Sequence, residues 1–443
     1  MSESQPAERE RRNAPALRAP RVGARPGAAA PATLLAGEPN EALRERRRTS
    51  VALQNLRGLS IAFVLMTHAS VAYLASAPAR SPAFDQVPYL WTAFPIVDPR
   101  RWLGFDIFCA WVDVYLMALL FFLSGLFAFS RVERDGAAKF LGRRIVRLGV
   151  PLIFGVAVVM PAALYPTYRL TATTPSLADY GAAYLALPFA PCGPLWFLGV
   201  LLGLTLLAVV ARPMVRPAVL FVGRLSRSFD ARPARLFAGW ALLAIAAYVP
   251  LALAFTPWRW IDWGVFGLQL SRPAVYALYY GAGLGVGAVG LGVGLLRADG
   301  LAARTWLGWA AAAVASLFLW MGLTGLSMRF GDAPPLALRL IGDASYALAG
   351  ACSVLFILAL CLRFGSARPW RSLARLSNDA FGVYVLHYAP VVWLQYALLD
   401  FDWPAPLKAL IVVVGAGAAC LATLAAGRSL IGLAGLRRPA TMA

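Results

Sequence analysis

The chain has 443 residues, of which 60% are hydrophobic and 14% charged, and its formal net charge is +20. Soluble globular domains carry about 45–50% apolar and about 25% charged residues, so this composition excludes an ordinary soluble protein. The basic residues alternate with long apolar runs and form no single stripe, which argues against a nucleic-acid partner and for the loops of a membrane protein.

The five cysteines form no CxxC pair and lie mostly within apolar segments. We therefore expect neither a disulfide framework nor a metal site.

Residues 1–50 are rich in Arg, Ala, Pro and Glu and hold no apolar stretch long enough for a signal-peptide core. This composition predicts a disordered, basic cytoplasmic tail near anionic lipid. A transmembrane domain is predicted over residues 51–430, followed by a second cytoplasmic tail at 431–443.

Apolar windows of about 20 residues, the length that spans a lipid bilayer, recur from Gln54 onward. Lys and Arg are concentrated in the N-terminal tail, in every second loop and at the C-terminus. By the positive-inside rule both termini are cytoplasmic, and the number of spans is even. The sequence therefore predicts an all-α, polytopic integral membrane protein of about ten transmembrane helices. The predicted spans lie near 54–77, 104–130, 148–168, 194–211, 236–256, 273–296, 305–326, 340–362, 376–399 and 407–427.

The chain contains only two histidines, His68 and His387, and both fall inside predicted spans. Ionisable residues within a membrane are costly and mark candidate functional sites. Arg57 precedes His68 by 11 residues, which places both on one helix face, separated by a rise of roughly 16 Å. Such spacing suits a long anionic donor whose phosphate binds Arg57 while a slender arm carries the reactive group to His68. An interfacial arginine that merely reaches toward the lipid surface is the alternative for Arg57.

Two carboxylates, Asp106 and Asp113, lie seven residues apart in the second predicted span and so share a face. Asp113 is expected at a depth close to that of His68 on the neighbouring antiparallel helix. A carboxylate bonded to an imidazole fixes its tautomer and raises its basicity, so Asp113 is the predicted orienting partner of His68. Asp106 is alternatively an exposed residue near the outer surface.

The loop after the second span is strongly basic and includes Arg143, Arg144 and Arg147. This loop is a candidate phosphate site, although the positive-inside rule alone would produce it. In the sixth span, Gly285, Gly287 and Gly290 form a GxGxxG pattern, but no strand precedes it. Because small residues let membrane helices approach closely, we interpret these glycines as packing residues and not as a dinucleotide site.

Five short motifs, in this order, resemble those of membrane-bound acyltransferase family 3. They are LRG at residues 56–58 with His68 beyond it, FFLSG at 121–125, FLGRRIVR at 140–147, LWFL at 195–198 and FGVYVLH at 381–387. The VRLGVP run at 146–151 and the ten-span layout are most similar to the branch that succinylates periplasmic glucans. Where many members have a histidine before the LWFL motif, this chain has Gly193-Pro194.

The resemblance implies an O-acyltransferase of the bacterial inner membrane. Such an enzyme moves an acetyl or succinyl group from cytoplasmic acyl-CoA to a hydroxyl of an envelope glycan or related acceptor. It further implies that His68 is catalytic, either as a general base or as an acylated residue, and that His387 is a second site residue. Arg57, Arg143, Arg144 and Arg147 would bind the CoA phosphates.

A proton-coupled transporter, in which the buried aspartates and histidines relay protons, is the main alternative. It accounts for the ionisable groups equally well, but it does not explain the arginine cluster beneath Arg57 and His68. A non-catalytic partner of an envelope-polymer machine is a further alternative, and it would tolerate the loss of His68.

Overall fold

The computed structural model describes residues 38–173, 175–263, 266–331 and 333–433, most of which are helical. The α-helices are α1 (Glu38–Ser70), α2 (Leu103–Leu126), α3 (Ala128–Asp135), α4 (Ala137–Arg144), α5 (Val150–Phe154), α6 (Met160–Arg169), α7 (Leu177–Leu185), α8 (Trp196–Val210), α9 (Arg212–Arg227), α10 (Pro233–Phe255), α11 (Pro273–Val289), α12 (Leu301–Arg304), α13 (Trp306–Met328), α14 (Leu336–Phe364), α15 (Arg371–Asn378), α16 (Ala380–Leu386), α17 (Tyr388–Ala397) and α18 (Ala405–Leu433). Short 3₁₀ turns occupy Val71–Tyr73, Leu90–Thr92, Gly193–Leu195, Phe229–Ala231 and Gly294–Leu296, and π-helical segments occupy Ile145–Gly149 and Gly155–Val159. Strands β1 (Trp260–Trp263) and β2 (Phe266–Gln269) form an antiparallel hairpin in which Trp260 pairs with Gln269.

Eight helical stretches among the described residues are long and apolar enough to cross a membrane. They confirm the all-α, multi-pass architecture. They are Asn40–Tyr73, Leu103–Asp135, Ala137–Arg169, Gly193–Val210, Pro233–Phe255, Trp306–Met328, Leu336–Phe364 and Ala405–Leu430. The other two predicted spans correspond to shorter elements. One is α11, with 17 residues, and the other is divided between α16 and α17.

The predicted disordered tail is wrong for residues 38–50, which belong to α1. Side chains of this segment are tied to the turn before α12: Thr49 donates to the Leu296 carbonyl at 2.7 Å, and the Glu45 carboxylate accepts from the Ala298 amide. Both contacts lie within the unit that begins at Leu43, and residues 38–42 belong to a separate unit. Residues 1–37 and 434–443, which hold the rest of both predicted tails, lie outside the described residues.

Prolines explain why the third span changes its helical geometry. Pro151 has no N–H to donate to the carbonyl of Arg147, four residues earlier, and the helix widens into a π segment there. Pro161 likewise has no N–H to donate to the carbonyl of Ala157, which lies within the second π segment. Arg147 therefore projects from a widened turn and not from a regular α-helix.

Gly285 and Gly287 of α11 are packing residues, as the sequence indicated, whereas the prediction is wrong for Gly290, which follows α11 and has nothing within 4 Å of its Cβ position. A Cβ at Gly287 would lie 2.0 Å from the Leu126 carbonyl oxygen of α2, and one at Gly285 would lie 2.6 Å from Val222 of α9. Helix α11 thus packs backbone to backbone on α2 and closely on α9.

Gly283→Ala is expected to lower the thermal stability, because its Cβ would lie 2.1 Å from the Phe122 carbonyl oxygen. Overpacking of this kind costs about 1–3 kcal/mol. Gly281→Ala on the same helix is the matched control, since a Cβ there meets nothing within 4 Å. Thermal unfolding of both variants in detergent measures the effect. Equal melting temperatures would contradict the close approach of α11 and α2.

A buried ion pair ties α18 to the segment that precedes α2. Lys408 Nζ lies 2.7 Å from Asp98 Oδ2, and the side chains are 0% and 1% exposed. The Asp98 amide also donates to the Ala72 carbonyl, just beyond α1. This pair fixes α18 beside the end of α1, which carries His68.

Candidate active site

The two histidines of the chain meet in the fold. The ring of His68, near the end of α1, lies 5.1 Å from the ring of His387, centroid to centroid. Tyr388 adds its ring edge-on at 5.5 Å from His68. Two residues separated by 319 positions in the sequence thus form one imidazole pair, and the structure brings together both histidines that the sequence singled out.

The tautomer of His387 follows from its hydrogen bond. Its Nδ1 lies 2.7 Å from the Tyr384 carbonyl oxygen, and a carbonyl only accepts, so Nδ1 carries the proton. Nε2 therefore holds a lone pair, and it is buried without a hydrogen-bond partner among the described residues. A buried, unpaired basic nitrogen beside a second imidazole is suited to proton transfer.

His387 occupies the break between α16 and α17. Pro390 cannot donate to the Leu386 carbonyl four residues earlier, and the helix is interrupted between the two. This interruption places a fully buried imidazole at a turn within the ninth predicted span.

Gln395 holds the backbone beside His68, a contact that the sequence analysis missed. Its Nε2 donates to the carbonyl oxygens of His68 at 2.8 Å and Ala69 at 3.1 Å. Gln395 is 1% exposed and lies on α17, two turns beyond His387. The helix that begins directly after His387 thus fixes the main chain of His68.

The Gly193-Pro194 turn closes the side of the pair near α8. The Tyr384 hydroxyl donates to the Pro194 carbonyl. Gly193 has a φ of +45°, and a Cβ there would lie 2.7 Å from Met160 and 3.4 Å from Tyr388. The chain therefore has glycine where the backbone conformation strains any larger residue and where a Cβ would also require Met160 to move.

The structure corrects the predicted pairing of Asp113 with His68. Both Asp113 oxygens accept from the guanidinium of Arg272, at 2.7 and 2.6 Å, and the described residues show no hydrogen bond between Asp113 and His68. A guanidinium binds a carboxylate with two parallel bonds, and so it competes effectively for this oxygen pair. Arg272 also lies over the ring of Tyr346, at 5.2 Å. A catalytic role for Asp113 stays a prediction, but the contact with His68 on which it was based is not present among the described residues.

Asp113→Asn is expected to destabilise the protein, because the Arg272 side chain is 7% exposed and would lose its charged partner. A hydrogen bond to a charged group contributes about 1.5–3 kcal/mol. Asp402→Asn is the control, since Asp402 pairs with Arg100 while 79% exposed and should change stability by under about 1 kcal/mol. Thermal unfolding distinguishes the two. An Asp113→Asn protein that melts like the wild type but lacks activity would restore the original assignment.

Asp106 has a structural role at the outer end of α2. Its two carboxylate oxygens accept from the amides of Ala75, at 2.7 Å, and Ser76, at 3.0 Å. The transporter alternative needed Asp106, Asp113 and the histidines to form a relay. The structure instead bonds the first carboxylate to backbone amides and the second to Arg272, and the described residues show no hydrogen bond from either carboxylate to a histidine.

Arginines from two predicted cytoplasmic segments gather around Arg57. Arg57 interacts electrostatically with Arg147 and Arg131, and Arg144 interacts with the same two residues. Arg144 Nη2 also donates to the Ser124 carbonyl, at 3.4 Å. We call Arg57, Arg131, Arg144 and Arg147 the arginine cluster. Like charges that interact in this way favour an anionic ligand.

Arg143, the remaining predicted phosphate ligand, pairs with a carboxylate. Its guanidinium forms an ion pair with Asp135 at the end of α3. Arg131, which the sequence analysis did not assign to the donor site, joins the cluster instead.

The turn of α1 that carries Arg57 is fixed by the segment before and within α15. Asn55 donates to the carbonyls of Gly365 and Arg368 and accepts from the Trp370 amide at 2.8 Å. Ser377 donates to the Gln54 carbonyl at 2.7 Å. These bonds fix the turn of α1 that carries Arg57, and His68 lies three turns further along on the same face.

The described residues offer no group of three or more His, Cys, Asp or Glu side chains that could hold a metal ion. Comparison with protein families matches residues 50–425 to the acyltransferase family 3 model, described as an acyltransferase domain. Neither a comparison with curated proteins nor one with solved structures gave a significant match. The family match spans more than half of the chain and includes both histidines and the whole arginine cluster. The chain therefore belongs to acyltransferase family 3 and is a multi-pass membrane acyltransferase.

Proposed function

We propose that this acyltransferase takes an acetyl or succinyl group from acyl-CoA and transfers it to a hydroxyl of an envelope glycan or related acceptor. The observation that carries the proposal is the contact of the only two histidines, whose ring centroids are 5.1 Å apart, together with Arg57 three turns before His68 on α1. The likeness to the glucan-succinylating branch supports succinyl transfer to a periplasmic glucan as the specific form, in the bacterial inner membrane.

The arginine cluster is the proposed donor site. CoA carries several phosphates, and guanidinium groups bind phosphate through paired, charge-assisted hydrogen bonds. Arg57 and Arg147 are exposed, so a ligand can reach them. The rise of roughly 16 Å from Arg57 to His68 along α1 matches a donor that is held at one end and reacts at the other.

The imidazole pair is the proposed proton-transfer device. At 5.1 Å between ring centroids, the ring nitrogens can approach hydrogen-bond distance. We assign to His387 the orienting role first given to Asp113. Its Nε2 has no hydrogen-bond partner among the described residues, and we propose that a small rotation of the two rings during the reaction lets its lone pair accept an N–H from His68, which leaves the other His68 nitrogen basic. That nitrogen takes the proton of the acceptor hydroxyl while the hydroxyl oxygen attacks the thioester carbonyl. The C–S bond breaks, and the CoA thiolate leaves and is protonated.

Mass spectrometry of envelope glycans from cells with and without the protein tests the proposal. We expect ester-linked acyl groups on the glycans only when the protein is present, and their mass identifies acetyl or succinyl. A His68→Ala variant at the wild-type membrane level is the control. Glycans with the same acyl content in all three strains would contradict the proposed acceptor.

A further inference from the structure

A cavity of about 700 Å³ lies among α2, α9, α10, α11 and α14. Cavities of this size can bury most of a small ligand. Its walls are almost entirely aliphatic and aromatic side chains, including Phe122 and Leu358. The lining residues include neither histidine and no member of the arginine cluster, so the cavity is separate from the proposed acyl-transfer site.

The cavity opens on the surface that faces the lipid. Phe221 of α9 and Leu243 of α10 line it, and they are 54% and 55% exposed. Large apolar side chains at this exposure, on helices of a membrane protein, contact the bilayer. A ligand can therefore enter sideways from the membrane, and the wall chemistry favours a hydrocarbon chain.

Two polar groups lie where α9 ends and α10 begins. Ser226 lines the cavity, is 7% exposed, and its hydroxyl has no hydrogen-bond partner among the described residues. Arg235 also lines it, and the described residues provide no carboxylate within ion-pair distance of its guanidinium. By the positive-inside rule this end faces the cytoplasm. One end of a cavity lined mainly by apolar side chains thus offers a hydroxyl donor and an uncompensated positive charge.

We propose that this cavity binds one anionic phospholipid of the inner leaflet. An acyl chain fills the apolar space between α10 and α11, the phosphate binds Arg235, and the Ser226 hydroxyl donates to an ester oxygen of the lipid. Charge complementarity selects the anionic headgroup, because a guanidinium near the membrane surface attracts anionic lipid.

Native mass spectrometry of the delipidated protein tests this site with phosphatidylglycerol and phosphatidylcholine of identical chains as probes. We expect one phosphatidylglycerol to be retained in preference to phosphatidylcholine. Arg235→Ala should weaken its retention about tenfold, the effect of losing one charge-assisted contact. Arg232→Ala is the matched control, since it removes the same charge three residues away, directly before α10, and Arg232 does not line the cavity.

A second variant tests the hydrocarbon part. Gly239 lines the cavity, and a Cβ there meets nothing within 4 Å, so Gly239→Leu should fill the space without a clash and abolish retention of both lipids. Gly322→Leu on α13 is the control, because its Cβ is equally free and Gly322 does not line the cavity. Equal retention of the two lipids, equal effects of Arg235→Ala and Arg232→Ala, or lipid retained by a folded Gly239→Leu protein would each overturn the proposal.

Discussion

Replacing His68 with alanine is expected to abolish acyl transfer while the protein remains inserted and abundant. His68 is the proposed proton acceptor, and loss of such a group lowers a rate by about 100-fold to 10,000-fold. The substitution removes a partly exposed ring, so the fold should tolerate it. The measurement is acyl transfer per mole of membrane protein, determined by glycan mass spectrometry together with quantitative immunoblotting.

The same experiment with His387→Ala and the double variant tests whether the two rings act as one unit. If His387 orients His68, the double variant should be no slower than His68→Ala alone, because residues that act together are non-additive. Gln395→Leu should lower activity less, since it loosens only the backbone of His68. Wild-type transfer by His68→Ala would end the assignment of this residue.

Replacing Arg57 with alanine is expected to weaken acyl-CoA binding about tenfold or more, the effect of losing a charge-assisted contact. Lysine should substitute poorly, because it cannot bind phosphate through two parallel bonds. The measurement is the increase in melting temperature that acyl-CoA gives to each purified variant. Lys139→Ala, an exposed charge in the same basic loop, is the control.

The stability of the protein without acyl-CoA is a second test of the arginine cluster. Arg57 interacts with Arg147 and Arg131, which carry the same charge. Removing Arg57 should therefore leave the stability without ligand unchanged or raise it, while lowering the stabilisation by acyl-CoA. A variant that binds acyl-CoA like the wild type would assign Arg57 to membrane topology alone.

Local periodicity explains what the sequence could predict. Arg57 and His68 belong to one unbroken helix, so their shared face follows from helical geometry. Apolar windows located the long helices, because spanning a bilayer requires about 20 apolar residues. The close packing of α11 likewise followed from its glycines.

The partner of Asp113 could not be predicted because it depends on packing between distant segments. Arg272 precedes α11, where sequence reasoning counts it as a charge of an outer loop. The fold buries it against α2 and over Tyr346, so it takes both Asp113 oxygens. The buried pair of Asp98 and Lys408 was missed for the same reason, since each residue lies at the margin of a predicted apolar segment.

The contact between His68 and His387 could not be predicted from the sequence either. The sequence shows that both histidines lie in apolar spans. Their contact depends in addition on the packing of α17 beside the end of α1, where Gln395 donates to the carbonyl of His68. The signal that could have found it was the scarcity of histidine in the chain, with both residues inside apolar segments.

The most direct test of the central claim is thiol release from acetyl-CoA or succinyl-CoA by the purified protein in liposomes, with envelope glycan as acceptor. We predict that the wild type releases free CoA in proportion to the acyl ester formed on the glycan. His68→Ala should release none above the protein-free background. Equal CoA release by the wild type and His68→Ala, or ester formation without any CoA release, would contradict acyl transfer from CoA at the histidine pair.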